Sequence, residues 1–235
     1  MHVKFLSAAK NIVFQPERKP RTIVAGPFKG ITMALSLRNE AQVYLGLFEK
    51  ETHPWLTRLS RSIKTAVDIG SANGEYALFF LLKTEAKTVN LFEPDASCLP
   101  ILRENLSLNR LDHTPRLGIS SKLVGDSDGE AEIRLDTLAD SIDSPCLIKM
   151  DVDGAEERVL RGAARLNGLP GIRWLIETHS AENEISCLNI LSNAGFHTRV
   201  IRNAWWRVFV PEFRPIPHNR WLAAWKNEQE DSLSK

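Results

Sequence analysis

The chain predicts an α/β fold: a mostly parallel sheet with helices on both faces and a late antiparallel edge pair. Three observations predict it. Short apolar runs alternate with helical segments from about residue 64 onward, the pattern of βα units around a parallel sheet. The first of these runs ends in a glycine-rich turn, Gly70-Ser71-Ala72-Asn73-Gly74. Later runs end in acids, at Glu93, Asp151 and Glu177.

The elements follow in order. Lys64–Ile69 reads as a buried strand and Glu75–Leu82 as the helix after it. Thr88–Phe92 is the second strand, stopped at Glu93-Pro94. Asp95–Asn109 carries Leu99, Leu102, Leu106 and Leu108 at helical spacing. Leu117–Val124 is a weaker strand, Gly125–Gly129 a turn and Glu130–Leu135 a short strand. Cys146–Met150 is a clear buried strand, Gly154–Leu166 a helix, Ile172–Ile176 another strand and Ala181–Asn193 a helix stopped by Gly195. Phe196–Ile201, Trp205–Val210 and Arg220–Trp225 are strand-like, and Pro211, Pro215 and Pro217 interrupt them. Arg38–Lys50 has the spacing of an amphipathic helix, with Pro54-Trp55-Leu56 beyond a turn.

This gives three regions: a cap or lid over residues 1–60, a catalytic domain over 61–226 and a polar tail over 227–235. At 235 residues the chain has room for one α/β domain and an extension. A net charge of +1 gives no general argument for nucleic acid. Within residues 1–40, however, seven basic side chains face two acidic ones, a patch that is either a solvated face or a receiver of an acidic substrate. No apolar run is long enough to span a bilayer, and Cys98, Cys146 and Cys187 are too scattered for a disulfide framework or zinc site. The expectation is a cytoplasmic protein. The late edge strands could pair between chains as a homo-oligomer.

Four segments carry chemistry. The turn after Asp68 has Gly-x-x-x-Gly spacing rather than the Gly-x-Gly-x-x-Gly of a dinucleotide site, and an acid before it would repel a pyrophosphate but attract a cationic amino acid or sulfonium. Glu93 follows Gly70 by 23 residues, near the roughly 20 expected of a carboxylate that accepts ribose hydroxyls. Lys149, Asp151, Asp153 and Glu156 gather at the end of the most apolar strand, where charges need partners or a role. Glu177 and His179 follow the next strand. A carboxylate or imidazole here could take a hydroxyl proton. Asp151 is the first candidate for base or acceptor-orienting group and His179 the second, with Glu177 beside them. Lys149 is either part of this catalytic set or a partner that steadies the acids. Asp151, Asp153 and Glu177 also offer the oxygen ligands that hard cations favour, but no metal site is assigned.

Read together, Asp68-Ile69-Gly70-Ser71-Ala72-Asn73-Gly74, Phe92-Glu93-Pro94, Leu135-Asp136-Thr137-Leu138, Ile148-Lys149-Met150-Asp151-Val152-Asp153-Gly154-Ala155-Glu156 and Val159-Leu160-Arg161-Gly162-Ala163 occur in an order that resembles the FkbM family of methyltransferases. The similarity runs from about Lys64 to Ile201. It departs at Asp153, where the family usually has Glu, and in the short stretch between Gly129 and Leu135. The resemblance implies a Rossmann-like class I methyltransferase that uses S-adenosyl-L-methionine to methylate a hydroxyl on a small molecule, sugar or lipid-linked acceptor. It also implies a cofactor site. The backbone around Gly70, Ser71, Ala72, Asn73 and Gly74 would hold the methionine part, with Asp68 near its amino group and Tyr76 just beyond. Glu93, followed by Pro94, would take the ribose, Asp126 would neighbour the adenine, and Asp151 would lie by the sulfonium. A nicotinamide-dependent oxidoreductase and a non-catalytic cofactor-binding module are the competing readings. Specificity for the acceptor would reside in residues 1–60 and in the segment from Asn203 to Asn219, whose Trp205 and Trp206 could, like Trp221, stack on a ring.

Overall fold

The computed structural model describes residues 17–203 and 218–226. The chain opens with a hairpin, β1 (Lys19–Thr22) antiparallel to β2 (Thr32–Leu35). Helix α1 (Leu37–Tyr44), a 3₁₀ turn at Lys50–Thr52 and helix α2 (His53–Leu59) follow. Next come β3 (Thr65–Ile69), α3 (Glu75–Lys83), β4 (Thr88–Phe92), α4 (Leu99–Leu108) and β5 (Leu117–Ser120). Strands β6 (Leu123–Gly125) and β7 (Glu132–Arg134) form a small parallel pair before a 3₁₀ segment at Leu135–Ser141. The chain continues with β8 (Cys146–Met150), α5 (Glu156–Arg161), α6 (Ala164–Gly168), β9 (Ile172–Thr178), α7 (Ala181–Asn193), β10 (His197–Ile201) and β11 (Arg220–Trp225).

The main sheet has the order β10-β11-β9-β8-β3-β4-β5. Strands β9, β8, β3, β4 and β5 run parallel, while β11 is antiparallel to both β9 and β10. The late antiparallel pair is at the edge, as the sequence predicts, but the last strand slots inside β10 instead of adding outside it. Every residue of β3, β8 and β9 is buried, which is why these strands read as apolar runs. Their side chains alternate between two cores. Ala66, Leu147 and Leu175 join one core with α3 and the hairpin. Val67, Ile148 and Trp174 join the other with Leu160 and Leu191. Ile23, Met33, Leu35, Leu56 and Leu59, all before residue 60, are buried in the first core.

Some expected boundaries shift for local reasons. The helix expected over Asp95–Asn109 begins at Leu99, with Pro100 in its first turn. The strand expected over Leu117–Val124 divides, β5 joining the main sheet and β6 pairing with β7. The helix expected over Gly154–Leu166 divides near Gly162, where the chain packs so closely that a Cβ would stand 1.9 Å from the carbonyl oxygen of Gly125. Strand β9 runs on through Glu177 and Thr178 to pair with β11. The β1–β2 hairpin is a feature the sequence reading lacks. Among the described residues no helix is long and apolar enough to cross a membrane. Trp205–Val210, Pro211, Pro215, Pro217, Trp206 and the tail over 227–235 lie outside the described residues, as does the start of the chain before residue 17.

Candidate active site

The sheet order reverses at β3: the chain moves outward through β4 and β5, then returns to place β8 on the other side. Ligands of open α/β sheets bind outside the carboxyl ends of the strands at such a switch point. Here β3 and β8 stay paired to their carboxyl ends. The Asp151 amide donates to the carbonyl oxygen of Ile69 at 3.0 Å. Gly70 has φ +75°, and a Cβ on it would lie 1.9 Å from the carbonyl oxygen of Asp151, so only glycine fits.

The turn is pinned on three sides. The Gly70 and Ser71 amides donate to the carbonyl oxygen of Phe92 at 2.9 and 3.2 Å. The Ala72 amide donates to Glu93 Oε2 at 2.7 Å, and Asp95 donates its amide to Glu93 Oε1 at 2.8 Å. Asn105 of α4 donates to the carbonyl oxygen of Asn73 at 2.8 Å. Gly74 closes the turn at φ +92° and opens α3.

Beneath the turn lies a buried charge pair. Asp68 is fully buried and sits 3.3 Å from the Lys149 ammonium. That ammonium also donates to the carbonyl oxygen of Gly70 at 2.8 Å, approaches Asp151 at 3.9 Å and sits over the Tyr76 ring. Burial alone would lower the Lys149 pKa, but the charges of Asp68 and Asp151 outweigh it and hold the amine above its ordinary range. Tyr76 is buried and donates from its hydroxyl to Glu49 at 2.5 Å.

A cleft of about 400 Å³ opens above these groups, lined among others by Glu40, Glu49, Ala72, Asn73, Glu75, Asp151, Asp153, Glu177 and His179. Its size is that of a small-molecule site. One wall is the acid cluster. His179 stands 3.4 Å from Asp151, 3.5 Å from Asp153 and 3.8 Å from Glu177 through Nε2, while Nδ1 meets Glu156 at 2.5 Å. Burial works to lower the imidazole pKa, but Glu156 and Asp151 reverse this and raise it. A more open concavity of about 560 Å³ around His53, Arg58 and Arg61 shares no lining residue with the cleft and gathers no such cluster.

The structure therefore brings Ala72, Asn73, Asp151, Glu177 and His179 to one cleft. Lys149, Asp68, Ser71 and Glu93 are buried and are not among the residues that line it. Pro94 is exposed, and Asp126 is exposed with its carboxylate taking two hydrogen bonds from Arg158, at 3.0 and 2.8 Å. Sequence reasoning missed Glu40, Glu49 and Glu75. Glu40 and Glu49 lie in a segment that reads only as amphipathic helix, and Glu75 reads only as the first residue of the helix after the turn, where carboxylates are usually solvated. Asn105 did carry a signal, being polar between Leu102 and Leu106 on the apolar face of α4.

No protein-family signature matches the sequence, and no curated protein matches it. Solved structures do. Methyltransferase FkbM from Methylobacillus flagellatus KT superposes with TM-score 0.54 and 21% identity, over 69% of this chain and 44% of that one. This chain thus corresponds to less than half of that protein's length. Precorrin-6y C5,15-methyltransferase from Geobacter metallireducens GS-15 gives 0.52 and 15%, over 76% and 89%. A putative O-methyltransferase from Klebsiella pneumoniae gives 0.52 and 19%, over 75% and 79%. The chain has the Rossmann-like fold of the methyltransferases. An FkbM methyltransferase is among the proteins that share it.

Proposed function

We propose that the chain is an S-adenosylmethionine-dependent methyltransferase that acts on a hydroxyl of a small molecule, sugar or lipid-linked acceptor. The observation that carries this reading is a single cleft of about 400 Å³ joining the glycine turn at Ala72 and Asn73 to the acid wall at Asp151, Glu177 and His179. The cofactor fits the residues present. Ala72 and Asn73 bring the backbone of the turn to the cleft, and the wall is anionic toward a cation. Each Glu93 oxygen accepts one amide and keeps a lone pair for a ribose hydroxyl. Asp68, buried under the turn, supports its charge balance through Lys149.

When bound, the cofactor supplies an electrophilic methyl group on a sulfonium. The acceptor oxygen would take that methyl group and leave the neutral thioether behind, and its proton would pass to the protein. Asp151 is placed to orient the hydroxyl and accept its proton, with His179 and Glu177 next to it. Positioning supplies most of the acceleration. Acceptor choice falls to residues 1–60 and the segment from Asn203 to Asn219, and the three free cysteines suit the reducing cytoplasm.

Incubation of the full chain with S-adenosylmethionine and panels of sugars, phenols and hydroxylated lipids tests the reading. The expected product is an O-methyl ether with one S-adenosylhomocysteine per transfer. Transfer only to nitrogen or carbon would replace the acceptor class. Cofactor binding without turnover on any panel would favour a binding module.

A further inference from the structure

Four carboxylates converge on one imidazole at the carboxyl ends of β8 and β9. His179 is one residue beyond β9, and its side chain is nine-tenths buried. Its Nδ1 is held at 2.5 Å by Glu156, which is wholly buried and is itself fixed by the Asn183 amide at 2.7 Å. With Nδ1–H donating to that carboxylate, the Nε2 lone pair faces the cleft. A carboxylate behind the histidine is the arrangement that orients metal-binding imidazoles.

In front of Nε2 stand Asp151 Oδ1 at 3.4 Å, Asp153 Oδ1 at 3.5 Å and Glu177 Oε2 at 3.8 Å. All three distances exceed the roughly 2.7–3.2 Å of a hydrogen bond. Two atoms that each bind one ion at about 2.1 Å stand about 3.0–3.5 Å apart at octahedral to tetrahedral angles. The spacing is close to that of groups sharing an ion and wider than that of groups sharing a proton. One ligand atom from each of Asp151, Glu177 and His179 lies within 4.8 Å of the others. The nearby ammonium of Lys149 is engaged closer to hand by Asp68 and the Gly70 carbonyl.

We propose that Asp151, Glu177 and His179 bind one divalent transition-metal ion, with Glu156 as the positioning residue. One imidazole and two carboxylates suit Mn²⁺ or a neighbouring first-row ion. The site stands on this geometry alone. Only its use rests on the methyltransferase reading: the ion would hold the acceptor oxygen and lower its pKa as a Lewis acid, so that the proton passes to water instead of to Asp151.

The test is to strip the full chain with chelator, titrate Mn²⁺ by calorimetry and record electron spin-echo modulation on the bound ion. The expected result is one ion per chain with nitrogen coupling from one imidazole. His179→Ala, checked for fold by circular dichroism, should abolish the coupling and weaken binding at least about tenfold. Glu156→Gln should weaken it by about tenfold. Absent binding, binding without nitrogen coupling, or unchanged affinity in a folded His179→Ala would each overturn the proposal. S-adenosylmethionine binding is measured separately. A chain that takes the cofactor but no Mn²⁺ refutes this inference alone, and the reverse refutes only the methyltransferase reading.

Discussion

The Lys149 ammonium donates at 2.8 Å to the carbonyl oxygen of Gly70, across two neighbouring strands. The same ammonium is 3.3 Å from Asp68, whose carboxylate oxygens have no hydrogen-bond partner of their own among the described residues. One side chain thus holds the turn in place and neutralises the acid beneath it.

Lys149→Met should therefore destabilise the chain by about 3–5 kcal/mol, since it strands a buried charge. Adding Asp68→Asn should recover a large part of that loss. Urea denaturation of the two singles and the double gives the answer, and additive losses would show that the pair is not coupled.

Gly70→Ala places a methyl group against the carbonyl oxygen of Asp151 at a positive φ. The cost should be at least about 2 kcal/mol from strain and overlap together. A melting temperature equal to that of the wild type would mean that the β3 and β8 ends are not this close.

Glu75 lines the cleft, and burial pushes its carboxyl up to about 7, with Glu40 adding repulsion. The folded chain then keeps a proton that the unfolded chain has already lost above its ordinary value of 4.5. Stability is full below that value and falls as pH rises toward 7, by on the order of 3 kcal/mol in all. Glu75→Gln should flatten this dependence in unfolding free energies taken at about pH 5 and about pH 8. Equal slopes in the two proteins would contradict it.

Much of this architecture is legible from residue order. Cys146–Met150 and Ala181–Asn193 form the predicted elements with the predicted ends, because a doubly buried strand and a capped helix each impose a plain local pattern. The β1 strand does not, since Lys19, Pro20 and Thr22 are exposed and only its pairing with β2 makes it a strand. At the site, the acids after β8 and β9 stand out because charge next to an apolar run is conspicuous. Glu40 and Glu49 do not, because their place in the cleft depends on how α1 and the turn after it fold back. The role of Glu93 in bracing the turn is a tertiary fact: its oxygens take amides from Ala72 and Asp95.

The most direct measurement is calorimetric titration of the full chain with S-adenosylmethionine, repeated with NAD and with Glu93→Ala. The account predicts saturable binding of S-adenosylmethionine at one site, no comparable binding of NAD, and a loss of at least about tenfold in the variant, as removal of a charged hydrogen-bond acceptor implies. Absence of S-adenosylmethionine binding, or a preference for NAD, would contradict it.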